Sequence, residues 1–188
     1  MDKEIADAEA GLILGAHFGI NCSSWSRLNM LFNGGTRTAL KPEGLGTLSR
    51  EVQGNQEFTG MMRLVVVLHR LGIPVTIENP ETSMIWNMPE LLAFVDEPDV
   101  NSVVFDQCMF GLLPPDHASL QHDVRVRKRT KLVGSAPHLC RLHRVCDRAH
   151  QHSHAYGDCR VDGKRVKRAK AAGIYPESLC RQLAACFV

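Results

Sequence analysis

The sequence predicts an α/β fold: a Rossmann-like, mostly parallel sheet with a small basic Cys/His-rich appendage. Three observations predict it. An apolar run over residues 12–20 stops at a cysteine followed by small hydroxyl residues, LILGAHFGINCSSWS, as a buried strand does when it delivers its end into a turn. A helical stretch then leads to the β-branched run IPVTIENP at 73–80, and another short run follows at 101–105. Helices alternating with β-rich runs belong to largely parallel sheets. Finally, HLCRLHRVCDRAHQHSHAYGDC at 138–159 gathers cysteines and histidines in a basic setting.

In order along the chain, residues 2–10 are rich in alanine and glutamate, with Gly11 as a carboxyl cap, and predict a short helix. The strand to Cys22 follows, and Ser23, Ser24 and Ser26 are cap-forming residues. Residues 27–47 have no sustained period and many Gly, Asn, Thr and Pro residues, which predicts a long loop. Met61, Met62, Leu64, Val65, Val67, Leu68 and Leu71 recur at helical spacing, so 49–71 is a helix ending at Gly72. The strand at 73–80 ends on Glu78, Asn79 and Pro80. A short helix over 89–94, the strand at 101–105 and a loop over 114–123 come next. VRVRKRTKLV at 124–133 alternates like one strand with basic residues on one face. Leu179, Leu183 and Cys186 predict a terminal helix docked on the core. The expected units are a core over 1–134, a basic insert over 135–170 and the docked helix in 171–188.

Hydrophobic content of 44% and charged content of 22% are ordinary for a globular protein. No window approaches the roughly 20 apolar residues of a membrane span, and the start lacks a basic and then apolar leader. The expectation is an intracellular protein, nuclear if eukaryotic, with no membrane partner. Seven cysteines beside nine histidines suit reduced thiols and metal binding better than disulfides. Residues 1–119 carry 7 Lys and Arg against 15 Asp and Glu, whereas 120–170 carry 14 against 4. This division points to a polyanion, DNA, meeting region 124–170. In the Cys/His stretch, Cys146 with His150 or His152 forms the expected core of a zinc site, supplemented by Cys140 or Cys159.

A cysteine just past a strand's carboxyl end faces the crevice where α/β proteins bind ligands. Four stretches, in this order, resemble the cytosine-5 DNA methyltransferase family: C-S-S-W-S at 22–26 its nucleophile motif, E-N-P at 78–80 its Glu-Asn-Val motif, the basic run around Arg125 and Arg127 its Gln-x-Arg-x-Arg motif, and G-I-Y-P-E-S-L-C at 173–180 its late motif over the cofactor. The resemblance implies methyl transfer from S-adenosylmethionine to cytosine through a covalent adduct. Cys22 would add to C6 and make C5 enamine-like. Glu78 would hydrogen-bond or protonate N3, Asn79 would hold the loop, and Arg125 and Arg127 would contact the base or its sugar-phosphate. Gly173, Tyr175 and Pro176 would lie at the cofactor. The base must be flipped out of the duplex, and residues 135–170 would stand where the family reads its target.

The pattern departs from the family at Asn21, where proline is usual, at Ser23-Ser24-Trp25, where Gln-Pro-Phe is usual, and at Asp123, where the basic motif begins with Gln. The glycine-rich strand-turn that holds S-adenosylmethionine is absent. Three explanations stand: a second polypeptide supplies the cofactor half, the chain is a fragment or decayed copy, or the fold is reused for binding. The alternative function is a non-catalytic, zinc-containing nucleic-acid-binding module. A weaker third is a cysteine hydrolase, which needs a histidine beside Cys22; His17 is held away by its own strand.

Overall fold

A computed structural model of the chain describes residues 2–120 and 123–188; two residues of the expected 114–123 loop, 121 and 122, lie outside the described residues. Helix α1 (Asp2–Glu9) leads to β1 (Ala16–Gly19), the short α2 (Arg27–Phe32) and the long α3 (Ser49–Arg70). One face of α3 buries Phe58, Met61, Met62, Val65 and Leu68. The chain leaves it through Gly72 at φ 72°, a left-handed conformation that glycine adopts without a Cβ penalty. A helical crossover returns the chain to the same end of the sheet, so β2 (Val75–Pro80) lies parallel to β1, with Gly19 opposite Glu78. Helix α4 (Pro89–Val95) begins at proline, whose missing N–H costs nothing in a first turn, and leads to β3 (Asn101–Asp106). The rest comprises β4 (Val124–Val126), β5 (Arg129–Gly134), β6 (Gln151–Ser153), β7 (Asp158–Val161), β8 (Lys164–Lys167), α5 (Arg168–Ala171) and α6 (Glu177–Ala184).

The main sheet has the order β1-β2-β5-β3. Strand β5 is antiparallel to both of its neighbours, so β1, β2 and β3 share a direction and β5 is wedged between β2 and β3 in reverse. This corrects the expected mostly parallel sheet: the protein is mixed α/β with a small sheet in which one of three pairings is parallel. The connections explain it. Helices α3 and α4 carry the chain back before β2 and β3, whereas 3-10 turns and β4 lead from β3 into β5 without such a return.

The run at 124–133 forms two strands instead of one. Strand β4 pairs parallel with β6 outside the main sheet, and the break falls at Arg127 and Lys128. There Gln107 N–H donates to the Lys128 carbonyl at 3.0 Å, while the buried Asp106 carboxylate draws Arg127 Nε to 3.5 Å and Arg129 Nη1 to 3.7 Å. The expected loop over 27–47 carries a short helix, and the basic stretch after the Cys/His cluster carries a hairpin. Helix α2 is capped by Ser26, whose hydroxyl accepts from Leu28 N–H at 3.2 Å. Strands β7 and β8 form a hairpin turned at Asp162 and Gly163, with φ of 48° and 74°, the left-handed pair of a type I′ turn.

Both faces of the sheet are covered. On one, Val75, Ile77 and Val133 pack with Trp25, Phe58, Val65, Leu68, Leu91 and Phe94. On the other, Val103, Phe105 and Leu132 pack with Ala136, Leu139 and Leu142 and with Leu179, Leu183 and Cys186 at the docked α6. Ala136, Leu139 and Leu142, within the expected insert over 135–170, pack in this cluster. Gly134 sits opposite Thr76, where a Cβ would come within 2.8 Å of Thr76 Cα and closer still to the Val75 carbonyl oxygen. Gly134→Ala is expected to destabilise the fold by about 1–3 kcal/mol by forcing β2 and β5 apart; an unchanged urea midpoint would show that the pair yields freely. Among the described residues, no helix is long and apolar enough to cross a membrane.

Candidate functional site

Strands β1 and β2 end side by side, and this brings Cys22 to Glu78. The turn after β1 is pinned by Asn21, whose side-chain oxygen accepts from Ser23 N–H at 2.9 Å, and by Trp25 N–H donating to the Cys22 carbonyl at 3.1 Å. Asn79, buried at the end of β2, donates from Nδ2 to the Ile20 carbonyl at 3.2 Å, tying the two strand ends together. Glu78 is buried, and Lys128 Nζ lies 3.6 Å from its Oε1. Burial pushes the Cys22 thiol up; the Lys128 ammonium opposes this and the Glu78 carboxylate adds to it. A carboxylate and an ammonium therefore pair at the carboxyl ends of two parallel strands, with the Cys22 thiol in the field of both charges.

Tyr175, just before α6, closes this centre. Its hydroxyl lies beside the Glu78 carboxylate at Gly19, and burial together with that carboxylate pushes the phenol up, so it stays neutral. The same oxygen lies 3.1 Å from His17 Nε2, and His17 Nδ1 lies 2.8 Å from the Thr76 hydroxyl. His17 is exposed at the sheet edge, yet lost hydration around its ring lowers its pKa to about 4. A consistent assignment has Nε2–H donating to Tyr175 and Nδ1 accepting from Thr76. Both nitrogens of His17 are thereby engaged by Thr76 and Tyr175.

The other expected residues lie elsewhere. Arg125 pairs with Asp123 at 2.7 Å and donates to the Cys108 carbonyl at 3.1 Å, and Arg127 turns to Asp106. The break between β4 and β5 rotates these arginines away and presents Lys128 to Glu78 instead. Gly173 N–H donates to the Lys170 carbonyl at 3.1 Å, and Pro176 caps α6. Tyr175, the third residue expected at S-adenosylmethionine, turns to His17 and Glu78. β1 is the edge strand of the main sheet.

A second centre gathers Cys108, Cys146, His150 and His152, whose ligand atoms all lie within 4.8 Å of one another. Cys146 Sγ is 3.8 Å from His150 Nε2 and 3.4 Å from His152 Nε2. Tetrahedral bonds of about 2.0–2.3 Å to nitrogen and sulfur require ligand separations of roughly 3.3–3.8 Å, so the cluster could hold a metal such as zinc. Cys108, which follows β3, takes the place expected for Cys140. The latter is exposed in the 3-10 turn Leu139–Leu142, whose inward positions are Leu139 and Leu142. Cys159 lies in the β7–β8 hairpin, its thiol 3.8 Å from the Val166 carbonyl.

One further side chain, Arg37, supports the Cys22 turn from below. It is buried, stacks 3.5 Å from the Trp25 ring centroid, and donates to the Ser24 carbonyl at 3.0 Å. Comparison with protein-family models, with curated proteins and with solved structures finds no match for the chain.

Proposed function

We propose that the chain is the nucleophile-bearing part of a cytosine-5 DNA methyltransferase-like protein, which captures a flipped-out cytosine through a bond from Cys22 Sγ to C6. The observation that carries this reading is the Glu78–Lys128 pair at the end of β2, beside the end of β1 and close enough for both charges to act on the Cys22 thiol. Addition to C6 moves the C5–C6 π pair onto C5 and the ring, and Glu78 faces N3 to stabilise that charge by a hydrogen bond or proton. Lys128 offsets the charge of the attacking thiolate. Tyr175 acts as a positioning residue for Glu78. In this reading S-adenosylmethionine, which supplies the methyl group when bound, is held by a second polypeptide. Among the described residues the outer edge of β1 has no strand partner, and Leu12, Leu14 and Val188 are exposed.

The basic arm supports DNA as the partner. In the hairpin Arg160 stands directly opposite Arg165, a like-charge pairing that disfavours the hairpin unless a polyanion or an acid neutralises it. Asp158 takes Arg165, and Arg160, Lys164 and Lys167 remain exposed. Arg160→Gln and Lys167→Gln are each expected to weaken binding to duplex DNA uniformly across sequences and to reduce the salt slope by about 1; unchanged slopes would move the DNA surface elsewhere. Zinc is the ion proposed for the Cys/His cluster, since two thiolates and two imidazoles suit it better than the oxygen-seeking cations.

The test of this reading is covalent capture of duplex DNA carrying 5-azacytosine. In that ring sulfur adds to C6, the N5=C6 π pair moves onto N5, and the thiol proton reaches N5 through solvent, so no methyl donor is needed. A denaturant-resistant complex is expected. Salt-dependent DNA binding without any adduct would leave the chain a non-catalytic nucleic-acid-binding module.

A further inference from the structure

We infer that a zinc ion at Cys108, Cys146, His150 and His152 does more than close the basic arm: it fixes Lys128 against Glu78 and Cys22, so that the reactivity of Cys22 depends on zinc. The inference rests on the proposed role of Cys22 as the nucleophile. Its physical basis is the position of Asp106 and Gln107, immediately before Cys108. Gln107 N–H donates to the Lys128 carbonyl at 3.0 Å, and its side-chain Nε2 donates to Thr130 Oγ1 at 3.0 Å. The Asp106 carboxylate, fully buried, draws Arg127 on one side of Lys128 and Arg129 on the other, and it also accepts from the N–H of Cys146 at 2.9 Å. Lys128 is thus flanked by contacts to the two residues that lead into one ligand, and one of these residues is bonded to the backbone of a second ligand.

The other ligands brace the approach to Lys128. His152 lies in β6 opposite Arg125 of β4, and Arg125 returns to the carbonyl of Cys108. A pair of three-residue strands cannot hold itself together. An ion that joins Cys108, after β3, to His152 in β6 would tie this pair to the main sheet, and β4 runs directly into the turn that carries Lys128. Losing the ion would free the 146–152 segment and β4, and with them the turn. Cys22 would then lose the cation that favours its thiolate.

The experiment measures alkylation of Cys22 by iodoacetamide, resolved by peptide mass, in the full chain loaded with zinc and after chelation. Wild type and Lys128→Met are compared. About one zinc per chain is expected. Chelation is expected to slow Cys22 alkylation about three- to tenfold in wild type, to the level of Lys128→Met, and to change the Lys128→Met rate no further, because both perturbations act through one cation. Cys108→Ser should reproduce chelation, and Cys140→Ser should leave zinc content and rate unchanged. Equal slowing in both backgrounds, faster alkylation after chelation, or a chain that holds no zinc would each overturn the inference. Alkylation needs no cytosine, so failure of DNA capture with intact zinc dependence would remove the proposed function and leave this coupling standing.

Discussion

Cys22→Ala is expected to abolish capture of 5-azacytosine DNA, to at least about a hundredfold below wild type on a denaturing gel, because the sulfur of the new bond is gone. Cys108, Cys146 and Cys186 are buried, Cys140 lies in the 3-10 turn after β5 and Cys159 in the β7–β8 hairpin; Cys180, exposed on α6, is the cysteine whose Ser variant should leave capture unchanged. Cys22 is half-buried outside the two large core clusters, so the alanine variant should keep its urea midpoint and DNA affinity. Glu78→Gln keeps the nucleophile but removes the acid that faces N3, and is expected to slow capture by about 10²-fold without abolishing it. Undiminished trapping by Cys22→Ala would end the assignment.

How much of this was legible in the sequence depends on whether a feature is set locally. Helix α3 is legible because its apolar residues repeat at 3.6 and Gly72 stops it; β2 because Val75, Thr76 and Ile77 are β-branched and it is buried on both faces. The order of strands is not. The place of β5 between β2 and β3 follows from where the chain returns after residues 107–128, and that return is fixed by Asp106 and Gln107, which no periodicity announces. Helix α2 is too short to show a period, so Ser26 is its one local signal. The β7–β8 hairpin was readable in principle: Asp162-Gly163 separates two runs with valine inside, and basic charge hides the alternation.

The two centres differ in the same way. Cys22, Glu78 and Asn79 are visible because each lies at the end of a strand that is itself visible. Lys128 is missed because strict alternation over 124–133 puts Arg125, Arg127 and Arg129 on one face, and only the contacts of Asp106 and Gln107 break that alternation. Cys108 is missed because spacing arguments weigh ligands that are close in sequence, whereas this cluster draws one ligand from the end of β3. Arg37 carries a faint signal: it is a lone charge among Gly, Thr and Ala residues, where a solvated loop has no need of one.

The largest stability effect is expected at Arg37. Arg37→Ala should cost about 3–5 kcal/mol, a large share of the roughly 5–15 kcal/mol that holds a domain folded. The guanidinium donates to the carbonyls of Ser24 at 3.0 Å, Pro42 at 2.6 Å and Glu51 at 3.0 Å, and to Asn55 Oδ1 at 2.8 Å. Its removal strips these acceptors of a donor, takes a stacking partner from Trp25 and takes a neighbouring positive charge from the buried Glu51 carboxylate, which keeps Thr36. Burial lowers the Arg37 pKa and Glu51 raises it, so the two charges offset part of each other's desolvation. Lysine keeps the charge but not the planar fork, so Arg37→Lys should recover only a minor part of the loss. Urea denaturation followed by tryptophan fluorescence measures the cost, and a midpoint displaced by less than about 0.5 kcal/mol would mean that water replaces the guanidinium. Because Arg37 holds the residues directly after Cys22, hydrogen exchange over 23–26 should rise in the lysine variant, and capture of DNA should slow while the β2–β5 pairing keeps its protection.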